Sequence, residues 1–149
     1  MTSTSRNTSP VAVRLWVAIV AAIAVLALTL SPWWIVTPAR EAFMELLHAA
    51  PGSVAAPLSY AEVESGLNAL MFVPLGVALA VLVGRRWWIL APVLAFALSF
   101  TVENLQARIP GRVPDVQDIL WNTVGGTVGA LVVMLVRGLR QRRATQRAG

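Results

Sequence analysis

The chain contains no cysteine, and its 12 cationic residues are all arginine, so lysine is absent as well. Missing cysteine removes disulfides, thiol catalysis and cysteine metal ligation together. With one histidine and no lysine, the chain lacks the multiple histidine and lysine positions expected of a membrane phosphatase. No serine–histidine nucleophile arrangement is visible either, and there is no internal repeat. Charge is scarce: 13% of the 149 residues are charged, against roughly a quarter in a soluble domain. Such a chain lacks the polar surface to face water on every side. What it has is hydrocarbon, with 57% hydrophobic residues and a net charge of +5. The arginines flank apolar runs and form no groove-sized patch, so no nucleic-acid partner is expected and they read as membrane topology signals.

Four apolar segments stand out. "LWVAIVAAIAVLALTLSPWWIV", Leu15 to Val36, reaches about 33 Å as a helix, enough to cross a bilayer core. Trp16 at one end and Trp33 and Trp34 at the other mark interfaces. The run exceeds the apolar region of a signal peptide and no small-x-small cleavage site follows promptly, so a retained helix is predicted. The second segment is "GLNALMFVPLGVALAVLVG", Gly66 to Gly84, and the third, "WWILAPVLAFALSFTVENLQ", begins at Trp87. The fourth is "ILWNTVGGTVGALVVMLV", Ile119 to Val136. Pro74 and Pro92 interrupt two of these, which membrane helices tolerate when neighbours rescue the freed carbonyls. Only "GRR" joins the second and third, which predicts a tight helical hairpin. The resulting spans are about 15–36, 66–84, 87–107 and 118–136.

Orientation follows from arginine. Arg6, Arg14, Arg85, Arg86, Arg137, Arg140, Arg142, Arg143 and Arg147 fall on one side of four spans, and Arg40, Arg108 and Arg112 on the other. The positive-inside rule then places both termini in the cytoplasm. Residues 1–14 form an N-terminal tail, 15–136 the membrane domain, and 137–149 an arginine-rich tail, read as frayed and touching anionic lipid head groups.

Between the first two spans, "TPAREAFMELLHAAPG" places Phe43, Leu46, Leu47 and Ala50 on one helical face and Glu41, Glu45 and His48 on the other. Thr37 is a candidate cap, Pro38 suits the first helical position, and Pro51-Gly52 ends the run. This predicts a short amphipathic helix in the outer interface, followed by a loop over residues 51–62. The histidine reads as a solvated face residue. The expected fold is an all-α membrane protein: four transmembrane helices in a compact bundle, plus this short extracytoplasmic helix.

The remaining charge gathers in "SFTVENLQARIPGRVPDVQDILWNTVGG", residues 99–126. Ser99, Glu103 and Gln106 are spaced four and three apart and line one face at the outer end of the third helix. Asp115, Asp118 and Asn122 do the same at the outer start of the fourth, and Gly125, Gly126 and Gly129 continue that face inward. Asn68 lies at the same level on the second helix, with Glu64 one turn before it. Arg112 sits in the connecting "IPGRVP". Asn122 is about 6 Å deeper than Asp118, so facing lipid its amide would go unpaired, whereas Glu103, Gln106 or Asn68 could satisfy it. The spacing therefore predicts a polar pocket at the outer mouth of a bundle. Each residue has a plainer reading. Asp115 suits an N-cap, Asp118 the third helical position, and Arg112 neutralisation of nearby acids. Asn68, Gln106 and Asn122 suit interhelical hydrogen bonds, and Gly125 with Gly129 suits helix packing.

"LNALMFVPLG", then "S-x3-E-x2-Q", then "R-x2-D-x2-D-x3-N-x2-GG-x2-G" resembles the VanZ-like family of small bacterial membrane proteins over roughly residues 64–136. The resemblance implies that Asn68, Pro74, Gly76, Ser99, Glu103, Gln106, Arg112, Asp115, Asp118, Asn122 and Gly126 are the family positions. It also implies a bacterial plasma-membrane location and, through the family's founding member, a link to low-level teicoplanin resistance.

Three functions compete. In the first, an envelope protein binds or modifies a lipid-linked or cell-wall molecule at the outer leaflet. Arg112 would pair with a phosphate or carboxylate there, and Glu103, Asp115 and Asp118 would contact hydroxyls, amines or a bridging divalent cation. In the second, the chain is a small oligomeric carrier or channel subunit with Glu103 and Asp118 as proton or cation sites. In the third, it is a structural partner for another membrane protein. No cofactor and no dedicated protein metal site are expected, and membrane lipids are the partners common to all three.

Overall fold

The structure, a computed structural model, describes residues 9–31, 33–49, 59–108 and 115–148. The described residues form five helices and no strand: α1 (Pro10–Thr29), α2 (Trp33–Ala49), α3 (Tyr60–Val83), α4 (Leu90–Gln106) and α5 (Val116–Ala148).

Local chemistry sets each boundary. Ser9 caps α1 by accepting from the Ala12 amide at 3.2 Å, with Pro10 at the first helical position, where its missing N–H is not needed. The helix stops at Thr29, six residues before Ile35 and well short of the predicted end at Val36. The residue before a proline disfavours helical backbone, and Pro32 follows Ser31. Thr29 and Ser31 turn their hydroxyls back onto the carbonyls of Val25 and Ala27. The chain then restarts at Trp33, so Trp33 and Trp34 open α2 and do not close α1. Pro38 consequently lies inside α2, not at its first position behind a Thr37 cap. Phe43 and Leu46 are exposed; the side chains of Leu47 and His48, and residue Ala50, lie outside the described residues.

α3 begins earlier than the sequence spacing suggests. Ser59 and Glu62 form a reciprocal capping box, each side chain bonded to the other's backbone N–H, so residues 59–62 are helix start and not loop. Gly84, at φ +80°, ends α3 in a conformation that favours glycine. Turns run through Ile89, and α4 starts at Leu90, three residues later than expected. Pro92 is therefore the third residue of α4 and interrupts nothing. α5 has 33 residues and stays helical to Ala148, where a frayed tail was expected. Arginine, glutamine and alanine are good helix formers, and Arg85 holds the extension by a hydrogen bond to Gln141.

α1, α3 and α5 are long and apolar enough to cross a membrane, and α4 is a shorter apolar helix of 17 residues. α3 is the hub: it packs against α1, α4 and, most extensively, α5. Phe72, Leu75, Val25 and Ala95 form one core cluster, and Ala80, Ala91, Ala130 and Val133 another. α3 and α5 run parallel, since Asn68 meets Asp118 near their starts and Arg85 meets Gln141 near their ends. Large apolar side chains such as Val11, Ile23, Phe96, Phe100 and Leu135 remain exposed, as expected where hydrocarbon is the solvent.

Candidate functional site

Where α3 and α5 begin and α1 and α4 end, polar side chains turn inward. Ser99, Glu103 and Gln106, on one face of α4, are 0%, 5% and 7% exposed. Asn68 on α3 and Asn122 on α5 are 5% and 2% exposed. Asp118 and Glu64 are half-buried. Together with Thr29, Leu28, Met71 and Val102, all of these except Ser99 line a cavity of about 30 Å³. That is close to the volume of one water molecule.

The hydrogen bonds run between helices in two layers. In the outer layer Asn68 Nδ2 donates to Asp118 Oδ1 at 2.7 Å, and Gln106 Nε2 donates to the Thr29 carbonyl at 2.6 Å. The Asp115 backbone N–H donates to Glu103 Oε2 at 2.9 Å, so a buried carboxylate on α4 sits at the positive end of the α5 dipole. About one turn deeper, Asn122 Nδ2 donates to Ser99 Oγ at 2.9 Å. Asn122 Oδ1 is buried and has no hydrogen-bond partner. Leaving a buried acceptor unsatisfied costs about 1–3 kcal/mol.

Most of the candidate residues therefore converge. Two differ from expectation. Asn122 bonds to Ser99, not to Glu103, Gln106 or Asn68; the pitch of two facing helices pairs the deeper residue of each. Asp115 is exposed and accepts from the Gln117 amide at 2.8 Å, an N-cap bond that turns its carboxylate away from the cavity lining. Arg112 lies outside the described residues. The glycines sit one level below. A Cβ on Gly125 would overlap the Ala69 carbonyl, one on Gly129 the Val73 carbonyl, and one on Gly76 the Gly126 carbonyl. Gly126 itself faces Ala95 of α4. This close approach of α3 and α5 is what brings Asn68 within reach of Asp118.

Spacing missed one polar contributor. Thr29 enters through its main-chain carbonyl, one of the four left unpaired at any helix end; finding it required knowing that α1 stops there. Ser65, 9% exposed on α3, lines a separate groove between the starts of α3 and α5 and not this cavity. Among the described residues the cavity lining carries three carboxylates, each already engaged in an interaction, and one buried amide oxygen without a hydrogen-bond partner. No group of three or more His, Cys, Asp or Glu among the described residues is placed to hold a metal ion.

Arg14, Arg85, Arg86 and Arg137 lie at the end opposite the polar cluster, whereas Arg108 follows α4 on the cluster's own side. Arg14 reaches the α3 end near Val81. Arg85 and Arg86 lie in the α3–α4 turn, and Arg137 donates to the Ala80 carbonyl at 3.3 Å. No curated protein and no solved structure matches this chain. The sequence profile of the VanZ/LLP1 family matches residues 11–137, taking in α1 and α2 as well as the half that carries the spaced polar motif. A membrane-type helical chain matched over most of its length, with the motif gathered at one end of its bundle, belongs to the VanZ/LLP1 family.

Proposed function

We propose that the cavity is a binding site, at the outer leaflet of the plasma membrane, for the polar group of a lipid-linked or cell-wall molecule. The observation that carries this reading is Asn122 Oδ1: a buried, unpartnered acceptor on a residue that lines a cavity shared with three carboxylates. Ionisable groups inside a membrane bundle are costly, and they mark functional sites by default. The orientation rests on arginine: the arginine-rich ends of the helices face the cytoplasm and the acidic end faces out, with α4 as the fourth span and α2 as an interfacial helix. An impermeant thiol reagent applied to intact cells should label Ser53→Cys and Gly111→Cys and spare Thr145→Cys; labelling of the last alone reverses the orientation. The link to glycopeptide susceptibility comes from family membership only, and the site reading does not depend on it.

A scaffold reading is the rival, supported by the cross-helix bonds Asn68–Asp118, Asn122–Ser99 and Gln106–Thr29. A carrier or channel is less favoured, because every acid of the chain falls outside the inner halves of the spans, leaving no relay across the membrane. Leu28 separates ligand site from scaffold: it lines the cavity yet is 54% exposed. A photoreactive diazirine side chain at Leu28 in native membranes should capture an envelope lipid or glycolipid in a Glu103-dependent way. Capture that is unchanged in Glu103→Gln favours the scaffold.

A further inference from the structure

We infer that a groove between α1 and α3 seats one acyl chain of an anionic phospholipid, with the lipid's phosphate at Arg14. This groove is separate from the polar cavity, which lies at the other end of the same helices. It is open along its length and has a volume of about 900 Å³. Val13, Val17 and Val20 form its wall on α1, and Val73, Val77 and Val81 its wall on α3. Each set recurs at three- or four-residue spacing, so each helix gives one apolar face. Ala21, Ala24 and Ala78 line it as well, and their short side chains leave the trough that leucine would fill. Arg14 is the one charged residue among its described lining residues. Basic pockets between membrane helices are the usual seats of anionic head groups.

Length and charge select the occupant. From Val13 to Ala24 the groove runs about 16 Å along α1, roughly half of a bilayer core of about 30 Å. It stops beside Val25, which packs with Phe72 in a buried cluster. A partner transmembrane helix would need a face as long as the whole core, whereas an acyl chain from one leaflet needs half. Trp16, which also lines the groove, is 65% exposed beside Arg14, as tryptophans at a membrane surface are. No Asp or Glu occurs in residues 1–40, 66–102 or 119–149, so α1 and the adjoining ends of α3, α4 and α5 carry no carboxylate for Arg14. The neighbouring cations are engaged: Arg85 with Gln141, Arg137 with the Ala80 carbonyl, and Arg86 over the Trp87 ring. Arg14 is exposed and has no partner among the described residues. Its counter-anion comes from outside the chain, and a lipid phosphate suits the guanidinium fork.

The test uses the full chain in nanodiscs of phosphatidylglycerol and phosphatidylcholine, equal in amount and matched in acyl chains. Native mass spectrometry reads the lipid kept when the protein is released. Wild type should keep one phosphatidylglycerol in preference to phosphatidylcholine by about fivefold, the effect of one basic residue at a membrane surface. Arg14→Gln should abolish that preference. Ala24→Phe, which fills the inner end of the groove without changing charge, should lower retention of both lipids. Both positions are exposed, so neither change should disturb the fold, which circular dichroism checks. Arg147→Gln, near the end of α5, is the comparison and should leave retention as in wild type. Equal retention of the two lipids by wild type overturns the phosphate at Arg14. Equal losses in Arg14→Gln and Arg147→Gln overturn it too, in favour of diffuse attraction to the arginine-rich end. Wild-type retention in Ala24→Phe overturns the acyl-chain seat, and paired copies without lipid would give the groove to a second chain.

Discussion

Two adjoining regions of the α3–α5 contact are built on opposite rules. In the glycine seam, main chain meets main chain: Gly125 against Ala69, Gly129 against Val73, Gly76 against Gly126, with no space for one added carbon. In the polar cavity above it, side chains from α1, α3, α4 and α5 enclose about 30 Å³ and leave an amide oxygen without a partner. The seam has no spare capacity and no chemistry. The cavity has both, although a leucine or valine at each polar position would remove the cost of burying it. A region that only holds helices together can be filled completely, as the seam is. The contrast teaches that cohesion and use are separated along one pair of helices.

The seam should be the easier region to break. Gly129→Val places branched carbon where the Val73 carbonyl lies and should destabilise the bundle by about 3 kcal/mol or more, at the upper end for overpacking. Unfolding in mixed micelles, followed by tryptophan fluorescence, checks this; a loss below about 1 kcal/mol would mean that α3 and α5 are not in main-chain contact. In the cavity the effects should be smaller and pairwise. Asn122→Leu and Ser99→Ala should show coupling of about 1 kcal/mol in a double-mutant cycle, within the modest range for intramembrane hydrogen bonds. Asn122→Leu with Gln106→Leu should be close to additive, since Gln106 bonds to the Thr29 carbonyl instead. The reverse pattern would mean that the two layers of the cavity are misassigned. The smallest effect should have the opposite sign. Gly66 lies in α3 with nothing within 4 Å of an added Cβ, so Gly66→Ala should stabilise by roughly 0.5 kcal/mol by reducing unfolded-chain entropy. A loss at Gly66 comparable to that at Gly129 would erase the distinction between seam and open helix.

Much of the cavity was legible because it is periodic. Ser99, Glu103 and Gln106, like Asp118 and Asn122, recur at helical spacing against an apolar background, and such spacing survives an error of several residues in the helix ends. The helix ends themselves were less legible. The run from Leu15 to Val36 reads as one apolar span, yet Pro32 divides it, and hydrophobicity does not register a backbone restriction. With the end of α1 misplaced, the Thr29 carbonyl could not be found. Partner identity was the other gap. Periodicity says which residues share a face, but the choice of Ser99 for Asn122 depends on how far α4 and α5 are shifted along each other, and no single helix encodes that. Gly76 shows the same limit, since its partner Gly126 is 50 positions away in the sequence.

Ligand-linked stability is the direct test of the separation between cohesion and use. Wild-type protein and Glu103→Gln are unfolded thermally in detergent, each with and without lipid extracted from a bacterial envelope. The variant keeps an acceptor for the Asp115 amide and so should fold. Wild type should gain stability with the extract, about 2.7 kcal/mol when a ligand is present at a hundredfold excess over its Kd, while folded Glu103→Gln should gain little. An equal gain in both proteins, or none in wild type, would contradict a ligand site in the cavity and leave it as packing.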